Sequence, residues 1–181
     1  DWRKVAARGN ALPRQHLLQD YSQRVIRQLD AIDVTRLTPA DRVDFEVYYA
    51  QIGNLLADQK FRTWQMPFNS DSAFWSDVGY ELGGDHLRSV DDYRKYLDRL
   101  SQIPAYFDQE IDNMRLGLKR GFSVPREVLK GRDVSIAAVA ELKDPTQSSF
   151  YAPFKKLPAS VPADQAEALQ GQALQQPRGQ V

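Results

Sequence analysis

Five side chains within ten residues carry the hydrogen-bonding and charge capacity that a ligand site needs: Arg62, Trp64, Asn69, Ser70 and Asp71. They stand in the stretch KFRTWQMPFNSDSAFWSDVGY, residues 60–80, among Phe61, Phe68, Phe74, Trp75 and Tyr80. Polar groups set between aromatic rings suit the lining of a substrate cleft, with Arg62, Asn69, Ser70 and Asp71 as the polar contacts. A sixth candidate, Tyr151, lies in a second loop of small polar and aromatic residues, DPTQSSFYAPF, where its hydroxyl can donate to a substrate. The competing reading is that Trp64, Met66, Phe68 and Phe74 are core filler over neighbouring helices, which is the commoner fate of large aromatics. One loop can serve both ends, packed on one side and open on the other.

Other chemistry finds less support. There is no cysteine, which removes disulfides, thiolate zinc sites and cysteine nucleophiles together. The two histidines are His16, in a polar stretch that reads as surface, and His86, which follows Asp85. An Asp-His pair occurs at metal sites, but zinc needs further protein ligands and none is spaced to join it. Glu110 with Asp112, and Asp91 with Asp92, do not face each other on a helix, and helix starts favour acids in any case. Arg126, Lys130 and Arg132 read as a solvated basic face, with capture of a peptide carboxylate as the functional alternative. Gly83-Gly84 is an isolated pair, not a phosphate-cradling loop.

The elements that must position these residues read as helices. In 181 residues, 42% are apolar and 27% charged, the profile of one globular domain. Lys plus Arg and Asp plus Glu are 24 each, and this balance argues against a nucleic-acid binder. No apolar run approaches the length of a membrane span, and no stretch has the make-up of a signal peptide. The chain opens at Asp1 without Met, as a processed product or an excised piece would.

Residues 1–12 have no clear period. A helix is expected from Pro13 to Asp33, with Leu18, Tyr21, Val25, Leu29 and Ile32 on its inner face. Thr38, Pro39 and Asp41 announce a second helix that runs to about Gln59. Its apolar residues, from Val43 to Leu56, are so many that burial on more than one side is expected. The short link favours an antiparallel hairpin. Trp64 and Phe68 are expected to bury against this second helix.

Further on, Ser89 caps a short helix with Tyr93, Leu97 and Leu100 inward. Ile103-Pro104 starts the next, with Phe107, Ile111, Met114 and Leu118 repeating along it. Lys119, Arg120 and Gly121 mark its end. A fifth helix is expected over about 125–142, with Gly131 inside it as a site of close backbone contact. A sixth spans Ala163 to Gln175, but it offers little apolar surface and is expected to lack a partner within the chain or to be poorly ordered. The expected fold is all-α: an irregular bundle of five or six helices with two long aromatic-rich loops. Its organisation is a segment 1–12, a helical domain 13–157, and a weak helix or tail 158–181.

Three stretches, KFRTWQMPFNSDSAF, YLDRLSQIPAYFDQEIDNMRLGLKRGFSVPREVL and DPTQSSFYAPF, occur in this order at spacings that closely resemble the N-terminal part of the bacterial DUF885 proteins. The resemblance runs from about Leu17 to Phe154. It implies a mostly helical protein of a family whose members are often exported or lipid-anchored, and are similar to zinc metallopeptidases with an HExxH motif. This sequence contains no HExxH. On that resemblance the chain is the substrate-cleft portion of a peptidase-like hydrolase. Peptide substrate, zinc and the catalytic half would then belong to a longer parent, and the isolated chain would be inactive and bind no stoichiometric zinc. The alternative is a non-catalytic helical binding or interaction module. The expected partners are the missing catalytic half or a second copy of the chain.

Overall fold

The computed structural model describes residues 12–76, 78 and 82–176. The expected segment 1–12, except Leu12, positions 77, 79 and 80 of the 60–80 stretch, and the end of the chain after Gln176 therefore lie outside the description. Among the described residues the chain is all-α, with one isolated antiparallel bridge between Phe68 and Ala73 and no strand.

Helices α1 (Leu12–Asp30) and α2 (Pro39–Phe61) form the expected antiparallel hairpin. The turn between them is built locally. Asp33 accepts from the Thr35 amide, and Thr38 caps α2 by accepting from the Asp41 amide with Pro39 in the first turn. The hairpin core is small: Val25, Leu29 and Ile52, with Ile26 and Phe45 packed against them. Tyr49 ties the helices by donating to Asp30 at 3.0 Å, and Gln59 does so at the other end by donating to Gln15 at 2.8 Å.

Two expectations about this hairpin are corrected. The inner face of α1 contains Gln15, Ser22, Val25 and Leu29, while Leu18, Tyr21 and Ile32 are exposed. Helix α2 is buried on one side only, since Val43 is 59% and Val47 52% exposed. A two-helix hairpin covers one face of each helix, and nothing else among the described residues lies over the other face of α2.

The main core lies further along the chain. Helix α3 (Val90–Ser101) opens on a reciprocal cap: Ser89 accepts from the Asp92 amide, and Asp92 accepts from the Ser89 amide. Tyr93, Leu97 and Leu100 are buried, as the spacing predicts, and Tyr96 joins them. They surround Phe154, which is fully buried, together with Val161 and Leu169. The Tyr93 hydroxyl donates to the Pro153 carbonyl and that of Tyr96 to the Phe150 carbonyl, so the second half of the second aromatic loop is fastened to α3.

Helix α4 (Ile103–Lys119) ends where charge and glycine predict. Gly121 has φ +73°, the Phe122 amide reaches the Gly117 carbonyl and the Gly121 amide that of Leu118. Its inner face is different from the expected one. Towards its C-terminus the buried residues are Glu110, Asn113 and Gly117, and Leu118 is exposed. The expected fifth helix is two: α5 (Arg126–Leu129) and α6 (Arg132–Ala140). Gly131 separates them at φ +74°, and a side chain there would meet nothing within 4 Å. The glycine answers a left-handed backbone conformation, not a close contact.

Helix α7 (Ala163–Gln175) corrects the expectation of a partnerless last helix. Leu169 is 3% exposed within the main core, and Gln170 donates to the Phe154 carbonyl at 2.8 Å. One leucine, flanked by Ala166 and Ala173 against the same cluster, suffices because small residues let the helix approach closely.

Candidate functional site

The stretch after α2 is the hinge between the two cores. Arg62 takes a left-handed conformation, φ 57°, and closes α2 through its amide, with its side chain exposed. The 3-10 turn Thr63–Gln65 follows and packs chiefly on α4, less on α2. This corrects the expected packing of the loop: Trp64 and Phe68 are half-buried, and the buried residue is Gln65. Arg120, at the end of α4, donates from Nε to the Gln65 side chain and from a terminal nitrogen to the Phe61 carbonyl at 2.6 Å. Its guanidinium also lies over the Phe122 ring at 4.2 Å. The Trp64 indole nitrogen is buried with no hydrogen-bond partner among the described residues.

Asn69 folds the next turn. Its side-chain oxygen accepts from the amides of Asp71 at 2.7 Å and Ser72 at 2.9 Å, which is the local bonding its residue type predicts. The Ser70 carbonyl accepts from the Arg132 guanidinium on α6, so Arg132 is a tie between segments. The aromatic rings then run as a chain into α4. Phe68 meets Trp75 at 5.4 Å, Trp75 meets Phe74 at 5.0 Å, and Phe74 meets Phe107 at 5.2 Å. The Trp75 indole donates to Ser135 on α6 at 3.1 Å.

Two hollows lie among these elements, and three of the six candidate residues line them. Trp64 and Asn69 line a polar groove of about 410 Å³ between the ends of α1 and α2 and the loop. Tyr151 lines an apolar cavity of about 210 Å³ between α4, α6, α7 and the second aromatic loop. Arg62, Ser70 and Asp71 are exposed and line neither.

The apolar cavity is the better-formed of the two as a ligand site. Its walls include Trp75, Phe107, Ile111, Ile136, Phe150 and Tyr151, and its polar groups are few: Asp108, Ser135, Ser148 and Gln176. The loop that carries Tyr151 is built around Asp144. That carboxylate accepts from the Thr146 hydroxyl at 2.8 Å and amide at 2.9 Å, and these bonds hold it below the usual aspartate range. Burial pushes the Tyr93 hydroxyl up, under the same loop.

Reading the sequence alone misses Asp108 and Ser135. Asp108 shares a helical stripe with Pro104, Phe107 and Ile111, and the one charge in an apolar stripe was the available signal. It also misses the fully buried pair Glu110 and Asn113, joined at 3.5 Å.

Among the described residues no three His, Cys, Asp and Glu side chains converge, and His16 and His86 are both exposed. No described helix is long and apolar enough to cross a membrane.

No curated protein and no solved structure matches the chain. A family model described as a bacterial protein of unknown function, DUF885, matches residues 13–181, so all of the helices described above but the first residue of α1 fall within it. The chain belongs to the DUF885 family.

Proposed function

We propose that this chain is the N-terminal, substrate-cleft portion of a zinc metallopeptidase-like hydrolase, catalytically incomplete by itself. One observation carries the reading. Three segments far apart in sequence, at Trp75, at residues 100–111 and at residues 142–151, meet at one apolar cavity, which Tyr151 lines. In this reading the cavity takes an apolar side chain of a peptide. Zinc and the water it activates would be held by residues outside this chain, in an exported or lipid-anchored parent. The test compares peptide hydrolysis by a longer family protein with and without Phe107→Ala and Tyr151→Phe. The expected result is a rise in KM for substrates with large apolar residues. Unchanged kinetics in both variants would overturn the assignment of the cavity to substrate.

A second reading, a helical interaction module, is favoured by the open face of α2. Val43, Val47, Ala50, Asn54, Ala57 and Phe61 follow one another at steps of four and three, which is the spacing of a helix-pairing seam. Glu46 and Lys60 flank that seam with opposite charges, which suits an antiparallel second copy of the same helix. Sedimentation of the chain over a range of concentrations tests it: a monomer throughout removes self-pairing, and a dimer abolished by Val47→Glu supports it.

A further inference from the structure

We infer that the apolar cavity takes an organic cation: a ring-sized or branched aliphatic body bearing an ammonium group. The inference rests on the cavity being the substrate cleft proposed above and names the chemistry of what enters it.

Size sets the body. A volume of about 210 Å³ exceeds the roughly 150 Å³ of an engineered cavity that binds benzene, and falls short of pockets for drug-sized ligands. One aromatic ring or branched side chain fits. The walls, Trp75, Phe107, Ile111, Ile136, Phe150 and Tyr151, offer no charge to such a body.

Charge sets the head group. Among the described residues Asp108 is the only charged one on the lining, and neither Lys nor Arg joins it there. It is exposed, and no hydrogen bond or ion pair engages it among the described residues, in contrast to Asp112 on the next turn, which pairs with Arg115 at 3.0 Å. Its position on α4, one turn from Pro104 and from Ile111, places a carboxylate at the rim of a hollow whose other walls are apolar. Trp75, Phe107 and Tyr151 add aromatic rings to the lining, and a ring face attracts a cation and not an anion. An anion would face the Asp108 carboxylate, and the described lining offers it only neutral donors, on Ser135, Ser148, Tyr151 and Gln176. The ammonium can come from a free amine or from the N-terminus of a peptide with an apolar first residue.

The test titrates the 181-residue chain with three probes of one shape, phenethylamine, 2-phenylethanol and 3-phenylpropionate, by ligand-observed NMR. Affinity is expected in that order, with the amine ahead of the alcohol by about threefold, as befits a solvent-exposed charge pair. Asp108→Asn should bring amine and alcohol together. Ala140→Trp, at an exposed position on the lining, should weaken all three while circular dichroism stays unchanged. Phenylalanyl-alaninamide against its N-acetyl form separates the sources: a preference for the free peptide amine marks a peptide N-terminus, and binding of phenethylamine alone marks a small amine. If the alcohol or the carboxylate binds the wild type as well as the amine, the inference fails and the cleft stands. If no probe binds, or Ala140→Trp leaves binding intact, the cavity is not the cleft and both readings fail.

Discussion

Gly117 and Gln65 meet so closely that a methyl group on the glycine would lie 2.7 Å from the Gln65 carbonyl oxygen and 3.1 Å from its Cβ. The same methyl would lie 2.7 Å from the Phe122 carbonyl oxygen. Those obstacles are mainly backbone, which cannot swing aside as a flexible side chain can. Gly117 is therefore the point at which the turn after α2 is pressed onto α4, and the half-buried Gln65–Arg120 contact lies beside it.

Gly117→Ala should destabilise the fold by about 1–3 kcal/mol despite the better helix propensity of alanine. Gly53, inside α2, is the control: a Cβ there meets nothing within 4 Å, so Gly53→Ala should stabilise by about 0.5–1 kcal/mol. Urea unfolding of the two variants measures both, and a similar effect of the two would deny the close approach.

Gly131 separates α5 from α6 with a left-handed backbone and open space around it. Gly131→Ala should cost about 1 kcal/mol, from the backbone conformation alone, and Gly131→Asn less, because asparagine tolerates that region. If alanine were neutral, α5 and α6 would form one continuous helix in solution, as the periodicity predicts.

Much of the fold was legible in the sequence because its signals are local. Thr38 with Asp41, Ser89 with Asp92, and Gly121 after Lys119 act within a few residues of where they stand. The misses are contacts between distant segments. Leu169 finds its pocket beside Phe154, and Gly117 its neighbour in Gln65, through pairings that no period records. The inner face of α4 turned from apolar to polar for the same reason. The candidate site was legible in part: Tyr151 reached the apolar cavity, while Arg62, Ser70 and Asp71 stayed on the surface and Asp108 was passed over.

Acid should loosen the helix starts. Hydrogen bonds from Ser89, first, and from the Arg88 amide hold the Asp92 carboxylate below the ordinary aspartate value, and the Thr35 and Thr146 groups do the same to Asp33 and Asp144. A carboxyl with a lowered folded-state pKa contributes stability that is complete above its unfolded value, about 3.9, and is lost as pH falls through the folded one. The urea midpoint should be flat with respect to these groups from pH 7 to 5 and fall below about pH 4. Asp92→Asn should lower the midpoint at pH 7 and reduce the acid-induced fall. An unchanged slope in that variant would show that the cap does not carry the effect.

Helix α7 stands or falls on Leu169. Nine of its thirteen residues are Ala, Gln or Gly, and a helix of that length and composition is marginal by itself in water. Its stability must then come from tertiary contact, and the deepest contact is Leu169, 3% exposed among Tyr93, Phe154 and Val161. Gln170 adds a bond to the Phe154 carbonyl, the one residue at the centre of the main core. Leu169→Ala should cost about 2–5 kcal/mol and release the helix, while Leu174→Ala, at a position 41% exposed, should cost far less. Hydrogen exchange on dilute protein gives the second reading. Amides from Ala166 to Leu174 should exchange about as slowly as those of α3 in the wild type, and at close to the free-peptide rate in Leu169→Ala while α3 remains protected. Fast exchange in the wild type would mean that the helix is not docked on its own chain.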